Sequence, residues 1–187
     1  HTAAVEAENR ERAEEEAKSP WVATGLRLPD TGGVLLLDRF EGKPELNLLL
    51  QNGANVNKNT GRNILRGVIN PVAGSKQTIE LSGLAASVQS HVADLSIYVN
   101  LDFFGDSSVS YTPKTAKDHF RIVRCEIKNG KRIVGALNIA IYGKVNQNAS
   151  YLPTDVQPVL GRWVKVSPEK PLPPGEYALV EFLGKDG

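Results

Sequence analysis

Two histidines inside the chain are the residues best suited to acid–base or metal chemistry, because imidazole can act both as a general base and as a metal ligand. Each has aspartates near it in sequence, and an imidazole oriented by a carboxylate is the base of many hydrolases. The candidate residues are His91, His119, Asp94, Asp102, Asp106 and Asp118. They support a hydrolase hypothesis, which requires that these groups converge in space.

Oxygen ligands for Ca²⁺ could come from Asp102, Asp106, Ser107 and Ser108, which follow a predicted strand. EF-hand spacing is missing there, so a polar turn is favoured. Phosphate loops with repeated glycines, paired Cys-x-x-Cys, His-Glu-x-x-His and Gly-x-Ser-x-Gly are also missing. The sequence therefore assigns no catalytic, cofactor-binding or metal-binding residue, and we expect no cofactor.

Cys125 is the only cysteine, so an intrachain disulfide is impossible. It lies between Val123 and Ile127 in an alternating segment. This position predicts a buried, unreactive thiol in the core.

Composition is that of a water-soluble globular protein: of 187 residues, 41% are hydrophobic and 23% are charged. The longest apolar runs are far shorter than the roughly 20 residues that a membrane-spanning helix needs. The chain begins at His1 and contains no methionine, which indicates a mature or trimmed form.

Residues 1–19 are predicted to form a charged helical segment or linker, because Ala, Glu, Arg and Lys dominate them. Acid-before-base pairs at i,i+4 support the helix, as at Glu6/Arg10 and Glu8/Arg12. Ser19-Pro20 should end it. Residues 20–187 are then predicted to form one domain.

Short apolar or alternating runs separated by Gly, Pro, Asn and Asp indicate an all-β domain, best described as a two-sheet antiparallel β-sandwich. The runs are 21–28, 34–40, 45–51, 64–69, 77–81, 95–101, 120–127, 132–142 and 176–182. Leu28-Pro29-Asp30-Thr31-Gly32 looks like a wall-sorting signal, but its place before a strand predicts a turn joining two strands.

Asn129-Gly130 predicts a type I′ hairpin turn between residues 120–127 and 132–142. Pairing outward from this turn places one apolar set on each face of the hairpin. The first set is Val123, Cys125, Val134 and Ala136, and the second is Phe120, Ile122, Leu137 and Ile139. The second face needs a cover, which could be a loop, the N-terminal segment or a second copy in a homodimer through the 120–142 hairpin.

Charge is uneven along the chain: residues 111–170 hold 11 basic and 4 acidic side chains, whereas residues 1–50 hold 6 basic and 10 acidic ones. A basic region with interspersed aromatic residues could bind an anionic polymer. The hairpin pairing mixes charge signs on one face, so nucleic acid is not an expected partner.

Four segments carry a resemblance: Gly-Val-Leu-Leu-Leu-Asp-Arg-Phe (33–40), Lys-Gln-Thr-Ile-Glu-Leu (76–81), Ile-Tyr-Val-Asn (97–100) and Pro-Gly-Glu-Tyr-Ala-Leu-Val-Glu (174–181). The chain resembles exported bacterial β-sandwich-like proteins that have no assigned activity. The resemblance implies a periplasmic or cell-surface location, and transfers no functional residue.

Three interpretations follow. The leading one is a non-catalytic interaction or structural module of the bacterial cell envelope, whose partner is a protein or another envelope component. The second is the hydrolase that uses His91 or His119, and the third is anionic-polymer binding through residues 111–170.

Overall fold

The computed structural model describes residues 2–50, 55–58, 75–104, 111–139 and 145–181. The chain divides into two compact units, each assembled from three separate stretches. Unit 1 comprises His1–Leu50, Val88–Phe120 and Thr154–Leu172, and unit 2 comprises Gln51–Ser87, Arg121–Pro153 and Pro173–Gly187. The single domain predicted over residues 20–187 stays a prediction.

One α-helix, two short 3₁₀ helices and fourteen strands occur in the described residues. The helix α1 is Thr2–Lys18, and the 3₁₀ helices are Leu101–Phe104 and Ala116–Asp118. The strands are β1 (Trp21–Ala23), β2 (Leu26–Arg27), β3 (Val34–Phe40), β4 (Lys43–Leu48), β5 (Asn55–Lys58), β6 (Ser75–Ser82), β7 (Ser96–Asn100), β8 (Phe120–Arg124), β9 (Glu126–Lys128), β10 (Lys131–Ile139), β11 (Val145–Tyr151), β12 (Thr154–Pro158), β13 (Trp163–Pro168) and β14 (Tyr177–Glu181).

Unit 1 contains a five-stranded antiparallel sheet in the order β12-β13-β7-β3-β4. Leu35 and Tyr98 are paired across β3 and β7, and they pack with Leu28 and Trp163 in one buried cluster. Side chains on the other face of these strands are also buried, as at Leu36 and its partner Ile97. Because β3 carries apolar side chains on both of its faces, both faces of the sheet are withdrawn from water along this strand and its neighbour β7.

The turn predicted at residues 28–32 joins β2 to β3, and the amide of Gly32 donates a hydrogen bond to the carbonyl of Pro29 at 3.2 Å. The run predicted over residues 21–28 is a small hairpin rather than one strand. Gly25, with a φ of +73°, makes the tight reversal between β1 and β2.

Helix α1 matches the predicted helical segment and ends before Ser19-Pro20. None of the predicted i,i+4 ion pairs forms in this helix, and Arg12 Nη2 instead donates to Asn9 Oδ1 at 2.6 Å. Its last turn is anchored to unit 1, because the indole N–H of the fully buried Trp163 donates to the carbonyl of Lys18 at 2.9 Å. Nearly all the rest of the helix is exposed.

Gly161 sits under this last turn and allows a pair of matched substitutions. Its φ is +58°, and an added Cβ would lie 2.6 Å from the carbonyl oxygen of Ala17. Gly130 has a similar φ of +74° with nothing within 4 Å of an added Cβ. We expect Gly161→Ala to lower the free energy of unfolding by about 2 kcal/mol, and Gly130→Ala by about 1 kcal/mol, the cost of the left-handed backbone alone.

Urea unfolding followed by far-UV circular dichroism measures both glycine variants, because this signal comes from the strands of both units. Equal losses of stability in the two would show that the contact between Gly161 and helix α1 contributes nothing.

Unit 2 contains a sheet in the order β14-β8-β11-β10-β6-β5, with β9 also paired to β10. The predicted Asn-Gly turn is confirmed: Asn129 and Gly130 have φ values of +52° and +74°, and Lys128 pairs with Lys131 across it.

The predicted extent of this hairpin is wrong. Its ladder ends after the Glu126–Ile133 pair, and from Gly135 onward β11 takes the place beside β10. The physical reason lies at Cys125, whose amide leaves the ladder and donates to the carbonyl of Glu176 at 2.8 Å. Strand β8 can therefore pair with β11 instead of β10.

The predicted core face of the hairpin is confirmed for Val123, Cys125 and Val134, which pack in one buried cluster. On the other face, Phe120 and Ile122 are each only 1% exposed within the single chain. The side chains of Ala136, Leu137 and Ile139, and residues 140–142, lie outside the described set. Homodimerisation through this hairpin stays a prediction, and Phe120 and Ile122 offer it no exposed surface.

The predicted fold class is confirmed: the chain is all-β, with antiparallel sheets behind a short N-terminal helix. In the described residues, no helix combines the length and the apolar character needed to cross a membrane. The run predicted at residues 64–69 lies outside the described residues. Strands β5, β11, β12 and β13 were not predicted.

Candidate functional site

His91 contacts an aspartate that is distant in sequence. Its Nδ1–H donates to Oδ2 of Asp38 at 2.6 Å, and its backbone amide donates to Oδ1 of the same carboxylate at 2.9 Å. The single proton of the Ser90 hydroxyl is shared between Oδ1, at 3.3 Å, and the carbonyl of Val92, at 2.9 Å. One carboxylate on β3 thus holds both the ring and the backbone at this point of the loop between β6 and β7.

Asp38 is buried because the alternation of β3 places it two residues after the buried Leu36 on the same face. Burial by itself would raise the pKa of Asp38, but hydrogen bonds from the side chain and backbone of His91 and from the backbone of Arg39, together with the charge of His91, hold it below its usual value. The carboxylate is therefore ionised and can only accept, which fixes Nδ1 of His91 as the donor.

Glu45 lies directly opposite Asp38 in the β3–β4 ladder. Its side chain is exposed, and Oε1 accepts a hydrogen bond from Asn47 Nδ2 at 3.3 Å. One ligand atom from each of Asp38, Glu45 and His91 lies within 4.8 Å of the others. We call these three residues the Asp38 cluster.

The His91 ring is also positioned by Phe40, which is on the same strand as Asp38. The two ring centroids are 4.6 Å apart with an interplanar angle of 49°. The side chain of His91 is 48% exposed, so the imidazole is held from one side and open to solvent on another.

A carboxylate–imidazole pair is the orienting half of a hydrolytic triad, and a triad also needs a nucleophile at the far nitrogen of the ring. Ser90 does not take that role, because its hydroxyl is engaged with Asp38 Oδ1 and with the carbonyl of Val92 at 2.9 Å. What these residues offer chemically is an oriented imidazole and two carboxylates, a donor set for a base or a metal.

Among the described residues, His91 does not pair with any aspartate that the hydrolase hypothesis named. His91 binds Asp38 rather than Asp94, which is exposed in the same loop. His119 lies against Tyr111, with ring centroids 4.5 Å apart. Asp102 pairs with Arg162 at 2.7 Å.

Asp118, the remaining described aspartate of that hypothesis, is exposed at the end of the second 3₁₀ helix. Asp106 lies outside the described residues, as do Ser107 and Ser108 of the calcium alternative.

The prediction of a buried thiol at Cys125 is confirmed. Burial raises the pKa of the Cys125 thiol, against a smaller lowering effect of the Arg132 charge and with a smaller raising effect of Glu176. The thiolate, which is the reactive form, is therefore disfavoured.

A second polar group in unit 2 was missed by the sequence analysis. Arg132 is buried, and its Nη2 donates to the carbonyl of Ser82 at 3.0 Å. Its Nη1 lies 3.7 Å from Oε2 of Glu176, which also accepts the amide of Ala86 at 2.7 Å. Among described residues nothing bonds to Nε of Arg132. These contacts tie β10 to the start of β14 and to the chain after β6.

Comparison of the chain with known protein families, with curated proteins and with solved structures finds no match.

Proposed function

We propose that this chain is a non-catalytic interaction module of the bacterial cell envelope, located in the periplasm or at the cell surface. The resemblance of segments 33–40 and 174–181 to exported bacterial proteins supports the location. The binding of His91 to Asp38 rather than to Asp94, and the ion pair of Asp102 with Arg162, support a role without catalysis.

The observation that carries the proposal is an exposed tryptophan held in place. Trp21 is 59% exposed, whereas Trp163, the other tryptophan, is fully buried. The guanidinium of Arg27 lies 4.5 Å from the centre of the Trp21 ring, and the two residues are paired across the β1–β2 hairpin. Tryptophan and arginine are the side chains most enriched at binding hot spots.

The chemistry of Trp21 and Arg27 suits a carbohydrate that carries carboxylates. A flat indole packs against the apolar face of a sugar ring, and it loses little conformational entropy on binding because it has only two side-chain torsions. A guanidinium beside it can pair with a carboxylate. Peptidoglycan combines sugar rings with peptide carboxylates, so we take it as the envelope component to test.

The basic region 111–170 offers less free charge than its composition indicates. Lys131 pairs with Glu80 at 2.7 Å, Arg132 is buried, and Arg162 pairs with Asp102. Anionic-polymer binding through this region is therefore not our proposal.

Co-sedimentation with isolated peptidoglycan sacculi tests the proposed function. We expect the wild-type chain to sediment with the sacculi and the Trp21→Ala variant to lose at least tenfold in affinity, because its central contact is removed. Leu84→Ala is the matched control, since Leu84 is 60% exposed in unit 2 and should leave sedimentation unchanged.

Fluorescence gives an independent reading of the same contact. Soluble muropeptides should shift the emission of the wild-type chain to shorter wavelengths, and the Trp21→Phe variant, which keeps only the buried Trp163, should show no shift. Sedimentation that is absent, or equal for wild type and Trp21→Ala, would contradict the proposal. Release of soluble fragments from sacculi, lost in His91→Ala, would instead favour the hydrolase.

A further inference from the structure

We propose that the Asp38 cluster binds one divalent transition-metal ion of the Zn²⁺ type, which takes the place of the proton between His91 Nδ1 and Asp38 Oδ2. The inference is independent of the proposed envelope function, because it concerns another part of unit 1. It rests on three observations: the ligand atoms of the cluster, the opposed carboxylates on β3 and β4, and the different contacts of the two Asp38 oxygens.

The donor set is one imidazole nitrogen and two carboxylate oxygens within 4.8 Å of one another. Zn²⁺ binds histidine nitrogen and carboxylate oxygen at about 2.0–2.2 Å, and three protein ligands leave its fourth position for an external ligand. An imidazole in the set favours a transition-metal ion over Ca²⁺ or Mg²⁺, which prefer all-oxygen sites.

The negative charges of Asp38 and Glu45 favour binding of a cation between them. Asp38 and Glu45 are directly opposite each other in the ladder, and two like charges at such positions destabilise a sheet. In the described residues no lysine or arginine pairs with either carboxylate. A divalent ion between them would neutralise both negative charges.

The two carboxylate oxygens of Asp38 have different contacts, and Oδ2 is the one that could bind a metal. Oδ1 accepts the backbone amide of His91 and the hydroxyl of Ser90, so it holds the loop whether or not a metal is present. Oδ2 lies 2.6 Å from the ring nitrogen Nδ1 of His91. A tetrahedral ion would separate Oδ2 and Nδ1 by about 0.7 Å more than this hydrogen bond does.

The required movement falls on the parts of the cluster that can move. His91 is in a loop and half exposed, so its ring can shift by that distance against Phe40. The exposed side chain of Glu45 can turn its second oxygen toward the ion. Asp38, on a buried strand, is the fixed ligand.

The test is calorimetric titration of the full chain with ZnCl₂, in a background where His1 is replaced by alanine, because a further histidine offers the ion another imidazole ligand. We expect one equivalent of Zn²⁺ to bind. His91→Ala should abolish this binding, and Glu45→Gln should weaken it at least tenfold. Both residues are exposed, so these variants should fold.

The matched controls are His119→Ala and Glu169→Gln, a second histidine and an exposed glutamate of unit 1, and neither should change the affinity. Co²⁺ should give visible absorption typical of a tetrahedral site, which His91→Ala removes. Excess Ca²⁺ should not compete. Absence of stoichiometric binding, or an affinity unchanged by His91→Ala and Glu45→Gln, would overturn the proposal in favour of a proton held between His91 and Asp38.

Discussion

Replacement of Asp38 with alanine is expected to lower the free energy of unfolding by about 3 kcal/mol, because one ionised carboxylate receives two hydrogen bonds from His91 and a longer, shared one from Ser90. The substitution also leaves a cavity beside Leu36 in the buried face of β3. Urea unfolding in metal-free buffer with a chelator measures this loss without any contribution from a bound ion.

Two further variants separate the contributions to this loss. His91→Ala removes the ring contact but keeps the backbone amide and Ser90 on Asp38, so it should cost only about 1 kcal/mol. Asp94→Ala removes an exposed carboxylate from the same loop and should change stability by less than about 0.5 kcal/mol. A loss at Asp38 no larger than that at His91 would show that the backbone contacts contribute nothing.

The sequence alone identifies one residue of this site, Asp38, but not the partner that it binds. Asp38 follows Leu36 by two residues in an apolar strand, so alternation alone places a carboxylate on an apolar face, where it needs donors. That signal identifies Asp38 as a residue that requires partners. It does not identify His91, which is 53 residues away, and the local pattern instead suggested Asp94.

The strands show a similar limit. Strand β3 was predicted with its observed bounds, because turn residues flank an apolar run on both sides. Strand β13 was not predicted although Trp163, Val164 and Val166 are fully buried, and prolines lie close to this short run on both sides. The structure places Pro158 and Pro168 at the last positions of β12 and β13, where a missing amide is tolerated.

The hairpin shows why pairing partners are harder to predict than turns. The type I′ turn is a local property of Asn129 and Gly130, and it was predicted correctly. How far β9 and β10 stay together depends on competition from β11, which is distant from the turn and pairs with β10 from Gly135 onward. The competition between β9 and β11 for β10 involves residues distant in sequence, so no local pattern predicts it.

Replacement of Arg132 with methionine is the second large effect that we expect, a loss of about 3 kcal/mol in the free energy of unfolding. The side chain of Glu176 is only 16% exposed, and without Arg132 its negative charge is left in a poorly hydrated place. The carbonyl of Ser82 also loses its donor. Thermal and urea unfolding measure the change.

The double variant Arg132→Met/Glu176→Gln identifies the cause. Glutamine keeps an oxygen that can accept the amide of Ala86 but carries no charge, so the double variant should be more stable than Arg132→Met alone. Asp102→Asn, which affects a solvent-exposed pair with Arg162, should cost less than about 1 kcal/mol.

A double variant less stable than Arg132→Met would show that the unpaired charge of Glu176 is not the origin of the lost stability. The packing of the arginine stem against its neighbours would then be the larger contribution. A recovery would mean instead that Arg132 is needed chiefly because Glu176 is charged. The polar contact that joins β10 to β14 would then fix which elements meet in unit 2, while the apolar cluster of Val123, Cys125 and Val134 supplies most of its stability.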